Sequence, residues 1–381
     1  MNKKINIVIF LGLIFSMAII FFIKEDKLVS YLERRYLAQA DDITFETIKN
    51  GELVTQIESY ALDQFPFRDE LRNIKAFGNY NIFMKQENQN IIVADGSMYE
   101  IKNSYSYDNA KNTISKIYNI AENLFYDNNC YFALIPDKSC YLDMNGNEYN
   151  YNIIEDAVTG NLSTAISYIP IYDTLTDKDY YKTDLHWSQD KIIDTSNRII
   201  EYLDVTDVTN TPNYVSYIID DYNGSFAARS ALSYIKDDIV YLSNERINNS
   251  FVYNYETSLT TPVYDLDKLT DEKSLDKYDI FLSGASPLLK VTAPDKTGET
   301  LILFRDSYGS SIAPLLLEYY DTIYLVDLRY INSSLIEKFI EIKPEYDVLF
   351  LYSTSMIEIS GNFSCYSILH DCTFLLSLHS C

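Results

Sequence analysis

The stretch TLILFRDSYGSSIAPLLLEYYDTIYLV, residues 300–326, states the fold of this 381-residue chain more plainly than any other. Residues 300–304 form a short, continuously apolar run and read as a strand. Residues 312–320 have helical spacing, and Thr322–Val326 is a second apolar run. Further on, residues 334–342 read as a helix opened by a Ser334…Glu337 capping box, and residues 347–352 as a third strand. A strand apolar on both sides must be covered on both sides. Short apolar strands alternating with helices therefore predict an α/β fold, a parallel sheet with helices on each face. Upstream, Ile114, Ile117, Ala121 and Leu124 fall at helical spacing, and an apolar strand at 131–135 follows at once. Residues 204–298 read only as short strands and loops rich in Tyr and Asn.

Between the first of these strands and its helix lies Arg305-Asp306-Ser307-Tyr308-Gly309. Ser307 is thus expected at the carboxyl end of a parallel strand, the edge where open α/β sheets bind ligands. A helix starting there offers backbone N–H groups and a positive dipole end to an oxyanion. Gly309 permits the tight turn. A serine before a helix is also the usual N-cap. Asp306 reads either as a second carboxylate near Ser307 or as a cap.

The histidine count sharpens the chemistry. The chain has three histidines, and His186 alone precedes residue 370. It lies in KTDLHWS, residues 182–188, directly before Trp187, the single tryptophan. Asp184 stands two residues earlier. In an extended segment residues i and i+2 point to one side. A carboxylate there can hold the imidazole in one tautomer, as a serine hydrolase or acyltransferase requires. Ser307, His186 and Asp184 are the candidate nucleophile, base and orienting acid. Arg329, just past the second strand, is a candidate for binding an acyl or sugar oxygen, with Asp327 as its alternative partner. Tyr308, Gly284 and Gly224 are further candidates for substrate or oxyanion contacts, although turn glycines are the plainer reading.

At the N-terminus, Lys3 and Lys4 precede an uncharged apolar run over residues 7–23. As a helix this run spans roughly 25 Å at about 1.5 Å per residue, near the thickness of a bilayer core. Phe21-Phe22-Ile23 leads straight into Lys24-Glu25-Asp26-Lys27, with no small-x-small cleavage site. The expectation is an uncleaved single-pass membrane anchor over residues 1–24, with the main domain extracytoplasmic. Residues 25–90 then form a membrane-proximal helical segment broken at Pro66. Residues 91–360 form the sheet domain, opening with a hairpin turned at Asp95-Gly96. Residues 361–381 form an atypical tail.

The net charge of −24 removes nucleic acid as a partner, since no basic surface would offset phosphate repulsion. No Gly-rich loop opens a helix after a strand, so no nucleotide cofactor is expected. His370-Asp371-Cys372 and His379-Ser380-Cys381 invite a metal reading, but no second strong ligand pair stands nearby, and no metal is expected. Cys130 and Cys140 are either a disulfide, as an oxidising compartment allows, or buried free thiols. The 35 tyrosines suit stacking on sugar rings, or simply fill cores and half-buried surfaces.

The segment Thr183-Asp184-Leu185-His186-Trp187 resembles the signature of the DHHW family. Arg305-Asp306-Ser307-Tyr308-Gly309 and Val326-Asp327-Leu328-Arg329-Tyr330 resemble that family's later blocks. Leu32-Glu33-Arg34-Arg35-Tyr36-Leu37 and Asp63-Gln64-Phe65-Pro66-Phe67-Arg68-Asp69 are similar to its membrane-proximal blocks. Leu185 stands where the family has its first histidine. On an extended segment Leu185 faces away from its two neighbours, so the triad survives.

The family in turn is similar to the alginate O-acetyltransferases of the cell envelope. The resemblance implies an SGNH-hydrolase-like, flavodoxin-like three-layer domain in permuted order, with Asp-His before the serine. It also implies a Ser307–His186–Asp184 triad acting on acyl esters of an extracellular polysaccharide. It implies a membrane-bound O-acyltransferase as the acyl donor. An acetyl esterase with the same triad, or a non-catalytic glycan-binding envelope protein, would carry the same residues.

Overall fold

The computed structural model describes residues 3–358, apart from 41–43, 86, 103–104, 143–150, 204, 206–211, 272 and 295–296. The tail with His370, His379, Cys365, Cys372 and Cys381 lies outside the described residues.

Eight strands make the central sheet. In chain order they are β1 (Cys130–Ile135), β2 (Ile166–Ile169), β3 (Phe251–Asn254), β4 (Thr260–Pro262), β5 (Leu288–Thr292), β6 (Thr300–Arg305), β7 (Thr322–Val326) and β8 (Asp347–Ser353). Their spatial order is β4–β3–β5–β7–β6–β8–β1–β2. From β7 to β2 all neighbours run parallel. The strands β5, β3 and β4 extend the β7 side with antiparallel pairs. That antiparallel edge is a correction to the purely parallel sheet the sequence predicts. The strands that form it are short, and β4 lies at the sheet edge with no buried residue, so no strong apolar run announces it.

Seven helices matter here: α1 (Lys3–Ile23), α2 (Leu53–Asp63), α3 (Arg68–Phe77), α4 (Tyr107–Leu124), α5 (Tyr151–Thr159), α6 (Ile193–Tyr202) and α7 (Gly309–Leu316). The central strand β6 shows why the sheet is covered twice. Leu301 and Leu303 enter a core shared with α6 and α7, while Ile302 and Phe304 enter one shared with α4 and α5. Each such side chain contributes about 1.5–3 kcal/mol by burial.

The hairpin turns at Asp95 and Gly96, both with positive φ (49° and 75°), as a two-residue hairpin turn favours. Pro66 separates α2 from α3. Two predicted helices change shape. The helix expected at 312–320 starts at Gly309 and ends at Leu316. At its start Gly309 lies against Arg305, where a Cβ would stand 2.5 Å from the arginine Cβ. The helix expected at 334–342 is a short 3-10 turn, Ser333–Lys338. Asn332, rather than Ser334, caps it by accepting the Ser334 amide at 3.0 Å. Cys130 and Cys140 are free thiols, and burial pushes both up to about 12.

Candidate active site

Ser307 stands just beyond β6, two residues before α7, and is half-buried among buried neighbours. Its hydroxyl does not cap the helix. Ser307 Oγ lies 2.7 Å from His186 Nε2. His186 Nδ1 lies 2.6 Å from Asp184 Oδ1. The three residues predicted from sequence therefore form one hydrogen-bonded line at the carboxyl edge of the sheet.

The local geometry differs from the prediction in an informative way. Residues 182–186 bend instead of running extended. Asp184 Oδ1 accepts the His186 amide at 3.0 Å, closing an aspartate turn on its own backbone. The i, i+2 spacing works through that turn and not through a shared strand face. The loop is tied down on several sides. Thr183 donates its amide and hydroxyl to Asp237, at 2.7 and 2.6 Å. The Phe226 amide donates to the Thr183 carbonyl at 2.9 Å, and the Tyr181 amide to the His186 carbonyl at 3.0 Å. Leu185, in place of a histidine, packs half-buried beside the small core of Ile91, Met98 and Phe226.

Asp184 is fully buried and its second oxygen is doubly satisfied. Oδ2 accepts the Ser225 amide at 2.6 Å and Arg34 Nη1 at 3.1 Å. Burial pushes this carboxyl up, but His186, Arg34 and the Ser225 amide outweigh burial and hold it well below the usual carboxylate range. An ionised Asp184 keeps the Nδ1 proton on its side of the ring. That leaves Nε2 as the acceptor facing Ser307.

Arg34 is the residue that sequence reasoning missed. It lies 150 positions from Asp184, in the membrane-proximal segment, with a left-handed φ of 57°. Its other terminal nitrogen pairs with Asp276. Neighbouring Glu33 pairs with Arg68 and Arg72, and Arg35 with Asp63. The only sequence signal was the two adjacent arginines in a block similar to a family's membrane-proximal one.

Tyr278 was also missed. Its ring stacks on His186 at 4.1 Å between centroids and 11° between planes. Its hydroxyl donates to Ser311 Oγ at 2.8 Å, which also accepts Trp187 Nε1 at 2.9 Å. Tyr181, Tyr222, Tyr278 and Tyr308 are all buried around the site, and burial pushes each phenol up. These tyrosines are walls of the site, not exposed sugar platforms.

The remaining candidates have other duties. The Tyr308 hydroxyl donates to the Leu185 carbonyl at 2.7 Å, and its amide to Asp306 Oδ1 at 3.1 Å. Asp306 also accepts the Ser353 amide at 2.9 Å, so it ties the turn to β8 and is no second acid beside Ser307. Arg329 closes on Asp327 through two bonds, 2.9 Å from Nε and 2.6 Å from Nη2. The Gly284 amide donates to the Phe281 carbonyl (3.2 Å) and the Gly224 amide to Thr183 Oγ1 (3.1 Å), so neither is free for an oxyanion. Gly224 serves close approach instead: a Cβ there would lie 2.5 Å from that of Asp184. The Gly309 and Ser310 amides fold back on the carbonyls of Asp306 and Ser307. The Ser307 amide donates to none of the described residues.

No family model matches this sequence, and no curated protein matches it at the sequence level. Solved structures do. A DHHW family protein from Eubacterium siraeum is 19% identical with a TM-score of 0.59, the likeness covering 71% of this chain and 93% of that one. Bacillus cereus PatB1 is 17% identical with a TM-score of 0.54, covering 70% of this chain and 97% of its own. A weaker likeness, 10% identity and TM-score 0.42, is to the O-acetyltransferase domain of Pseudomonas putida AlgJ, over 71% of this chain and 92% of that domain.

Proposed function

We propose that this protein is a membrane-anchored, extracytoplasmic O-acyltransferase that acetylates a cell-envelope or extracellular polysaccharide through an acyl-enzyme on Ser307. Its SGNH-like domain carries the triad in permuted order, Asp184 and His186 before the serine. The observation that carries the reading is the line Ser307 Oγ–His186 Nε2–Asp184, with links of 2.7 and 2.6 Å, at the ligand-binding edge of an α/β sheet. Support for the class comes from the likeness to PatB1, which is also described with a sulfonyl adduct. Support for the anchor comes from α1, whose Lys4–Ile23 stretch has a mean hydropathy of 2.7 and no burial.

The chemistry balances with the groups present. His186 Nε2 takes the Ser307 proton as Oγ attacks the acyl carbonyl. The Ser307 amide faces the developing oxyanion. The tetrahedral adduct collapses, the leaving group departs with the proton from His186, and an ester remains on Ser307. A sugar hydroxyl then gives its proton to His186, attacks that ester and leaves acetylated, while Ser307 regains its proton. An acyl donor delivered from the membrane by a membrane-bound O-acyltransferase would supply the first step.

The test is intact mass of the full-length protein in detergent after exposure to an activated acetyl ester, with Ser307→Ala and His186→Ala alongside. An added acetyl on the native chain, mapped to Ser307 and absent from both variants, is the expected result. A native chain that neither gains acetyl nor reacts with a serine-directed sulfonyl probe would sink the acyl-enzyme. Loss of acetyl to water but never to any glycan would make it an esterase.

A further inference from the structure

In a water-soluble protein an amphipathic helix turns its apolar stripe inward. The helix α3 does the reverse. Arg68 and Arg72 face the protein and pair with Glu33, Arg72 also donates to the Ala228 carbonyl, and Ala76 is buried. Phe67, Leu71 and Ile74, on the other side of the same helix, are exposed, Ile74 at 67%. In α2 no residue is buried, and Val54 is 74% exposed. Among the described residues, 13 exposed large apolar side chains fall within residues 45–84, against 14 in residues 85–358. A patch of this density on a monomer marks a surface that something apolar covers.

Two further observations point to one occupant. The patch is continuous with α1. The ring of Phe21 meets that of Tyr60 on α2 edge-on at 5.9 Å, and Lys24 Nζ donates to Gln64 Oε1 at 3.2 Å. So α2 packs where the apolar run of α1 ends. Charge is also segregated. Residues 1–85 carry 11 Lys and Arg against 11 Asp and Glu, and residues 86–381 carry 20 against 44. The apolar end of the molecule is thus the end that an anionic membrane surface does not repel.

We propose that the outward faces of α2 and α3 lie in the interfacial layer of the bilayer leaflet from which α1 emerges, and hold the Ser307 edge close to that surface. This rests on the anchor reading above. The hold is mechanical. Glu33 grips α3 and the next residue, Arg34, grips Asp184, only eleven residues after Ile23. At about 3.5 Å per residue those eleven residues reach roughly 40 Å at full stretch.

The single tryptophan makes the test clean. Trp187 is fully buried, so its emission reports an intact fold and stands as an unquenched reference. The full chain is placed in nanodiscs of phosphatidylcholine with and without brominated acyl chains, as Ile74→Trp, Val54→Trp, Phe15→Trp and Phe251→Trp variants. Bromine should remove most of the added emission at positions 74, 54 and 15, and none at 251. Quenching at 15 alone would overturn the docked face and leave the anchor standing. No quenching at 15 would overturn the anchor and the docked face with it. Equal quenching at 251 and 74, or blue-shifted but unquenched emission at 74, would also reject it, the latter assigning the face to a second copy of the chain.

Discussion

In β6 every residue is buried, whereas in α2 none is. Both are rich in apolar side chains. The strand is covered by four helices; α2 meets the rest of the protein through contacts such as Tyr60 with Phe21 and Asp63 with Arg35, and buries none of its residues. The two regions meet at one short stretch, where Glu33 reaches the helices and Arg34 reaches Asp184. Burial follows the medium each face meets. In the sheet, water is excluded by α4, α5, α6 and α7. In α3 the arginines are already paired within the protein, while Leu71 and Ile74 on its other side are exposed.

Three substitutions test that contrast. The largest effect is expected for Ile302→Ala, which opens a cavity in the core between β6 and α4; about 2–5 kcal/mol of stability should be lost in a urea melt. A loss under roughly 1 kcal/mol would show that this core is loosely packed.

Arg34→Met comes next, because it cuts the link between the regions. It leaves Asp184 buried with one cation fewer, which costs about 3 kcal/mol by the usual penalty for breaking a buried pair. The sign with pH is fixed by Asp184, whose folded carboxyl lies below its unfolded range. Its contribution is present above the unfolded pKa, about 3.9, and is lost as pH falls through the folded one. Removing Arg34 raises that folded pKa, so the acid-unfolding midpoint of the full chain should move to higher pH. Acid unfolding at unchanged pH would mean that Arg34 does not hold Asp184. The smallest effect is expected for Ile74→Ala: in detergent its melting should match the native chain within about 0.5 kcal/mol, as for an exposed site. A loss near that of Ile302→Ala would place Ile74 in a core.

Much of the site was legible in the sequence for a numerical reason. With one histidine before residue 370, the base had a single candidate, and Asp184 and Ser307 followed from their positions. The apolar runs at 300–304 and Thr322–Val326 likewise required cover on both faces. A residue type that admits several uses carries less information. Gly224 and Gly284 read as turn residues or oxyanion donors alike, and in the structure their amides are bonded to Thr183 and Phe281. Ser334 opened a plausible capping box, but Asn332 takes the cap and only a short 3-10 turn forms.

The amino-acid order alone announced the parallel heart of the sheet, the apolar first helix, and the candidate base and nucleophile. These rest on local patterns and on scarcity, which need no long-range geometry. Only the tertiary structure decided that Arg34 meets Asp184 across 150 positions, that Tyr278 stacks on His186, and that α3 faces its arginines inward. Such contacts depend on how loops without periodicity cross the sheet edge. A side chain's neighbours there are set by the closing of the whole chain and not by its own stretch of sequence.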